Sequence, residues 1–440
     1  MSTVAPITAT RRRTIFGWAL WDWGTSAFSV IITTFVFPLY IVNELFLNKS
    51  GYPNTEGDLS SGFQWSFVVA GFIVAIAAPI IGQRADASGG LRAWLATNTI
   101  VVGVATIGLA AIAPNPSFWI IGLILYVVAN VFYEFAFVNY NTVLVRITTS
   151  KNIGRVSGFG WGLGYIGGIV ALLVVLVLFI GLSGETGLLG ITPDNALNVR
   201  LSFAFAGVWA ILFALPVFFI APKKPAGSAR KKLSIFASYG KLFKDIARLY
   251  REDLPTFSFL IASAIFRDGL AAVFTLGAVI AATVFGFDFT SIMFFGIAAN
   301  IVGGIGVFIG GALEDKFGPK AIIMVSLAGL IVAGLFVFFF RDMGQITFWI
   351  GGLLLSLFVG PTQSSSRSFL GRLTKPGKEG ELYGLYATTG RGLSWLTGLL
   401  FAVMAGLLGG DAFGILAIVF VLFIGLLLMI PIRPQFNAKR

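Results

Sequence analysis

Gly311-Ala312-Leu313-Glu314-Asp315-Lys316-Phe317-Gly318-Pro319-Lys320 decides the fold, because its spacing occurs twice. Gly82-Gln83-Arg84-Ala85-Asp86-Ala87-Ser88-Gly89 carries the same Gly-x-x-x-Asp-x-x-Gly pattern 229 residues earlier, close to half of the 440-residue chain. Each copy follows a long apolar run. Glycine ends a helix and permits a tight turn, and an aspartate placed there can pair with backbone N–H groups or an arginine. The repeat predicts two halves of like design.

Working outward, apolar runs long enough to cross a bilayer fall at about 15–44, 61–82, 91–113, 117–146, 153–182, 200–221, 255–286, 290–311, 320–340, 346–370, 382–408 and 412–431. These are helices 1 to 12. The chain is 57% hydrophobic and 11% charged. The expected fold is an all-α membrane protein with twelve transmembrane helices in two parallel six-helix halves. Runs of this length without strict alternation exclude a β-barrel. Arg11, Arg12 and Arg13 precede a run too long for a signal-peptide core, so it reads as an uncleaved first helix.

The net charge of +12 has a positional explanation. Of the 31 Lys and Arg, 25 fall at the ends and loops on one side of this topology, and only Lys49, Arg200 and Arg341 on the other. The positive-inside rule then places both termini in the cytoplasm, most simply in a cell inner (plasma) membrane. No nucleic-acid partner is needed to explain the charge. There is no cysteine and no histidine, which excludes disulfides, thiol chemistry, a His/Cys metal site and a His-based triad. No metal, cofactor or enzyme activity is expected.

Residues 1–221 and 255–440 form the expected halves, joined by a basic linker at 222–254. Within it Ile235, Phe236, Tyr239, Leu242, Phe243, Ile246, Leu249 and Tyr250 follow helical spacing. An interfacial helix on anionic inner-leaflet lipid is expected.

A polar stripe recurs on every third helix. Asp22, Ser26, Ser29 and Thr33 share a face of helix 1, and Asn130, Glu134, Phe137 and Asn141 a face of helix 4. Asp268, Ala272 and Thr275 do so on helix 7 beside Arg267, and Ser356, Gly360, Gln363 and Arg367 on helix 10. A charge at the bilayer centre costs roughly 2.5–3.5 kcal/mol on insertion scales, so it is rarely left facing lipid. The four helices are therefore expected to face a shared wet interior, the layout of a solute path. Asp22, Ser26, Asn130, Tyr133, Glu134, Asn141, Arg267, Asp268, Gln363, Arg367 and Arg391 are the candidate solute- or proton-path residues. Arg391 is expected to pair with an acid of its own half. Trp21, Trp23, Phe28, Tyr133 and Phe137 are candidates for an apolar pocket wall. Gly160, Gly164 and Gly168, spaced by four on helix 5, are expected to smooth the seam between the halves, with Gly303, Gly306 and Gly310 on helix 8.

The doubled loop resembles the signature of the major facilitator superfamily, in which it steadies one alternating-access state. The gating residues by that resemblance are Gly82, Asp86, Gly89, Gly311, Asp315 and Gly318. Three further stretches resemble the autophagy-related vacuolar amino-acid effluxer family and its prokaryotic relatives. They are Trp18-Ala19-Leu20-Trp21-Asp22-Trp23-Gly24-Thr25-Ser26-Ala27-Phe28, Gly154-Arg155-Val156-Ser157-Gly158-Phe159-Gly160-Trp161-Gly162-Leu163-Gly164-Tyr165, and Ser364-Ser365-Ser366-Arg367-Ser368 with Tyr383-Gly384-Leu385-Tyr386. Relatives often have Ala-Asn where this chain has Gly24-Thr25, so an amide is missing from a cavity position.

The resemblance implies a secondary transporter that exports a small polar solute such as a neutral amino acid; a monomer is expected. An amino-acid zwitterion needs a cation and an anion together. Arg267 or Arg367 can hold its carboxylate, with Asp22 or Glu134 near its ammonium. Rival readings are an exporter of amphipathic or lipid-like compounds, which needs few obligatory charges, and a membrane sensor on the same fold.

Overall fold

The computed structural model describes residues 12–43, 46–47, 56–88, 90–181, 186–221 and 235–433. Gly89 and the first part of the linker, 222–234, lie outside the described residues. Among the described residues, twelve helices are long and apolar enough to span a bilayer. They are Arg12–Ile41, Ser61–Ser88, Leu91–Ala111, Pro116–Ile147, Ile153–Ile180, Asp194–Ile220, Leu254–Thr275, Phe294–Phe317, Pro319–Phe339, Gln345–Leu373, Glu379–Leu408 and Ala412–Met429. The chain is an integral, multi-pass membrane protein. Hydrocarbon satisfies no backbone group, so each crossing segment closes its own hydrogen bonds as helix.

Local chemistry sets several starts. Pro116 and Pro319 open helices 4 and 9, where a missing N–H costs nothing. Asn115, Asp253 and Asp288 each accept a hydrogen bond from a backbone N–H in the first turn that follows. At Asp288, which is exposed, the Ser291 hydroxyl and then its backbone N–H hold the carboxyl below the ordinary carboxylate range.

Two spans are shorter or less continuous than the apolar run suggests. Helix 7 stops at Thr275, and a separate short helix follows at Gly277–Thr283. Helix 11 runs as Glu379–Gly392, breaks, and resumes at Leu396–Leu408. The break follows the glycine pair Gly390 and Gly392, and Ser394 caps the first piece by donating to the Arg391 carbonyl at 2.9 Å.

The end of the bundle that carries residue 12, residue 433 and both Gly–Asp loops is tied together in the same way in each half. Arg92, at the start of helix 3, donates to the Phe219 and Ala221 carbonyls that end helix 6. Lys320, at the start of helix 9, donates to Ile430 and Ile432, which end helix 12, at 2.8 and 2.7 Å. The linker helix, Ile235–Glu252, lies across this end. Its stripe divides: Leu242 is buried, Tyr239, Ile246 and Leu249 pack on the core, and Phe243 and Tyr250 stay exposed.

Candidate functional site

Helices 5 and 8 make a backbone-to-backbone crossing between the halves. A Cβ built on Gly158 would lie 2.9 Å from the Gly311 Cα and from the Val307 carbonyl oxygen. Gly154 meets Glu314 and Asp315, and Gly162 meets the Phe308 ring. The seam thus uses Gly154, Gly158 and Gly162, and the expectation for Gly160, Gly164 and Gly168 is corrected. Those three face helix 1 of their own half, against Trp18 and Asp22, Ser26, and Val30 respectively. Likewise Gly306 and Gly310 face helix 10, at Leu357 and Pro361, whereas Gly303 meets both Ser356 of helix 10 and, across the seam, the Tyr165 ring of helix 5.

The two loop motifs act across this seam in mirrored fashion. Asp86 accepts the Glu381 N–H at the start of helix 11 at 3.0 Å and pairs with Arg146 at 3.2 Å. Arg146 also reaches Glu379 at 3.4 Å. In the other direction Asp315 accepts the N–H groups of Gly154 and Arg155, at 3.1 and 3.3 Å, at the start of helix 5. Arg155 pairs with it at 3.2 Å, and Arg372 lies at 3.8 Å. Each aspartate therefore puts negative charge on the N-terminus of a helix in the opposite half, where the helix dipole favours it. Gly82 packs on the Gly380 carbonyl, leaving no room for a side chain. Gly318 turns the chain with φ of 83°, a conformation that favours glycine.

Deeper in, Asp22 of helix 1 meets Arg367 of helix 10 at 3.4 Å. Tyr140 donates to the same carboxylate oxygen at 2.8 Å. The Arg367 guanidinium donates to the Ser157 hydroxyl and carbonyl at 2.9 and 2.6 Å, and lies within 6 Å of the Trp18, Tyr140 and Trp161 rings. Its residue is 1% exposed, which removes a lipid-headgroup role for this side chain.

At mid-depth Arg391 forms an ion pair with Glu134 of helix 4. The expectation of a partner in its own half is corrected: helix 11 packs on helices 2 and 4 of the other half, so the nearest acid belongs to that half. Arg267 instead lies over the Tyr386 ring, 3.8 Å from its centroid, and donates to the Tyr386 carbonyl at 2.9 Å. Asp268 is turned to the break in helix 11, where it accepts the Thr397 N–H and hydroxyl at 2.6 and 2.5 Å. It is the cap of the outer piece of that helix.

The remaining candidates are more local. Asn130 donates to the Tyr126 carbonyl and Ser26 to the Asp22 carbonyl, each within its own helix. Asn141 is 1% exposed and its Oδ1 has no hydrogen-bond partner among the described residues. Gln363 is half-buried. Trp21, Tyr133, Phe137 and Phe28 form one ring cluster with Tyr140, whereas Trp23 faces Trp209 and Phe213 of helix 6. Residues not anticipated are Ser157, Trp161 and Tyr140 around Arg367, and Arg146, Arg372, Glu314, Glu379 and Glu381 at the loops. The available signal for the latter was a charge at the membrane end of an apolar helix.

Among the described residues, four ion pairs join the halves, and all lie between mid-depth and the end carrying the loops. Twelve helices in two halves closed by paired Gly–Asp loops define a transporter of the major facilitator superfamily. Solved structures agree on the fold. The proton:xylose symporter XylE matches with TM-score 0.74 and 14% identity over 98% of this chain and 97% of that one. The transporter FucP in its outward conformation matches with TM-score 0.69 and 15% identity, over 96% of this chain and 100% of that one.

A family model described as "Vacuole effluxer Atg22 like" matches residues 145–437, two thirds of the chain, and the chain belongs to that family. An uncharacterized MFS-type transporter, YxiO of Bacillus subtilis, is 26% identical over 94% of this chain and 93% of its own length. Autophagy-related protein 22-1 of Aspergillus fumigatus is 25% identical over 66% of this chain and 50% of its own length. The chain thus spans about half the length of that fungal relative.

Proposed function

We propose that this protein is a secondary active exporter of a small polar organic solute, an amino acid or a comparable metabolite, working by alternating access. The observation that carries the reading is the Glu134–Arg391 ion pair, which crosses between the halves at mid-depth, with Arg267 of helix 7 resting on Tyr386 of the same helix 11. Opposite charges on separate halves suit a zwitterionic or polar cargo and give the halves a contact that cargo can replace.

The distribution of Lys and Arg supports cytoplasmic termini in the plasma membrane. In that orientation the four cross-half pairs close the cytoplasmic side, and rocking of the halves separates them together with the helix 5–helix 8 glycine crossing beside them. A charge on Asp22 or Glu134 is the natural proton carrier in a chain without histidine. The linker helix lies on the inner leaflet, with Phe243 and Tyr250 toward lipid. The effluxer description of the family supports the outward direction.

The test is counterflow in proteoliposomes with amino acids, sugars, nucleosides and organic acids. Exchange of one class, lost in Glu134→Gln, supports the reading. Exchange no faster than in empty vesicles for every class removes it.

A further inference from the structure

Three arginines stand well inside the membrane-spanning helices, and their surroundings differ. Arg367 and Arg391 each have a carboxylate partner. Among the described residues, Arg267 has no ion-pair partner; it rests on the Tyr386 ring and carbonyl. Its sequence neighbour Asp268 gives no relief, because that carboxylate is taken up by the Thr397 N–H and hydroxyl.

The position is built for a guanidinium. A Cβ on Gly390 would lie 3.0–3.1 Å from three guanidinium atoms of Arg267, so glycine makes room for it. The same strand of backbone continues into Arg391. At 1.5 Å per residue, Arg267, Arg391 and Glu134 all lie about 18–20 Å from the loop-bearing ends of their helices. That level of the bundle thus holds Arg267, Arg391 and Glu134 together with Asp268, whose carboxylate is taken up by Thr397 and leaves Arg267 unpaired. Arg267, Arg391 and Glu134 are partly exposed. An arginine has five N–H donors in a planar fork that matches a carboxylate, and Tyr386 uses one of them.

We propose that Arg267 is the anchor for a solute carboxylate, and that α-amino acids use it together with Glu134. The carboxylate takes the free edge of the Arg267 guanidinium. The ammonium competes with Arg391 for Glu134 and so loosens the pair that joins the halves. The assignment rests on the reading of the chain as a solute carrier.

The test is modification of arginine by phenylglyoxal in the purified full chain, read at Arg267 by peptide mass mapping. The probes are alanine and leucine, the amine-free acids propionate and 4-methylpentanoate, and alaninamide and leucinamide. At saturating probe, the amino acids are expected to slow modification of Arg267 at least tenfold, and the amides less than twofold. Equal protection by acids and amides, or protection by none, overturns the anchor. Amine-free acids protecting as well as the amino acids keep the anchor and overturn the exchange at Glu134. Arg267→Lys, which cannot be modified there, checks the peptide assignment. Counterflow is measured in parallel. Protection without counterflow sinks the transport reading and leaves this site standing, and counterflow of sugars alone without protection sinks this site alone.

Discussion

Asp22 and Arg367, 345 residues apart in sequence, lie 3.4 Å from each other across the boundary between the halves, with the arginine side chain only 2% exposed. The pair is held on both sides: Tyr140 donates to Asp22, and Ser157 accepts twice from Arg367. Buried pairs contribute little when intact, yet removing one partner leaves an uncompensated charge at a cost of about 3–5 kcal/mol. Asp22→Ala is expected to lower stability by that order in thermal unfolding. Asp22→Ala combined with Arg367→Met is expected to recover part of it. A double variant no more stable than the single one would show that the pair is not a unit.

The glycine crossing predicts different effects for two faces of helix 5. Gly158→Leu drives a side chain into the Gly311 backbone and should part the halves at the loop-bearing end. A cysteine placed at the fully buried Ser364 is then expected to react with maleimide at least tenfold faster. Gly164→Leu meets Ser26 and Asp22 within its own half. It should lower thermal stability and leave that reactivity unchanged; faster labelling in Gly164→Leu would contradict the assignment of faces.

Asp268 predicts a local effect. Losing a helix cap costs about 1 kcal/mol, and Thr397 would be left with a buried, unmatched N–H. Asp268→Ala should raise hydrogen exchange at 396–400, and Asp268→Asn, which still accepts, should restore most of the protection. Identical exchange in all three proteins would dismiss the capping role.

The linker helix offers a pH response. Burial pushes the Asp245 carboxyl up, but the nearby Lys378, Lys241 and Arg248 hold it below the ordinary carboxylate value. A depressed folded-state pKa stabilises above the unfolded value, and that contribution is lost as pH falls through the folded one. Docking of the helix should therefore be constant from neutral pH downward and weaken only below about pH 3.9. Proteolysis of the linker across pH reads this. Asp245→Asn should loosen the helix already at pH 7, and a variant as resistant as the parent would count against it.

How far the sequence reaches is plain at helix 5. Its glycines occupy two four-residue registers, 154-158-162 and 160-164-168, two residues apart and so on opposite faces of a 3.6-residue helix. Spacing reveals that small faces exist, not which neighbour each meets. The spans, the doubled loop and the charged stripe were legible because hydropathy, turn chemistry and helical period are local. The partner of Arg391 was not, since a pairing between helices 4 and 11 leaves no local trace. Asp268 looked like a path residue because the break it caps lies 129 residues downstream.

The contact at Gly158 and Gly311 involves main chain on both sides. A closing contact made of backbone is indifferent to the chemistry of the side chains around it. Under the transport cycle proposed above, walls lining the passage can be rewritten residue by residue for new cargo without disturbing this contact. For protein engineering, that separates two tasks usually entangled: altering what is carried, and preserving the closure of the two halves.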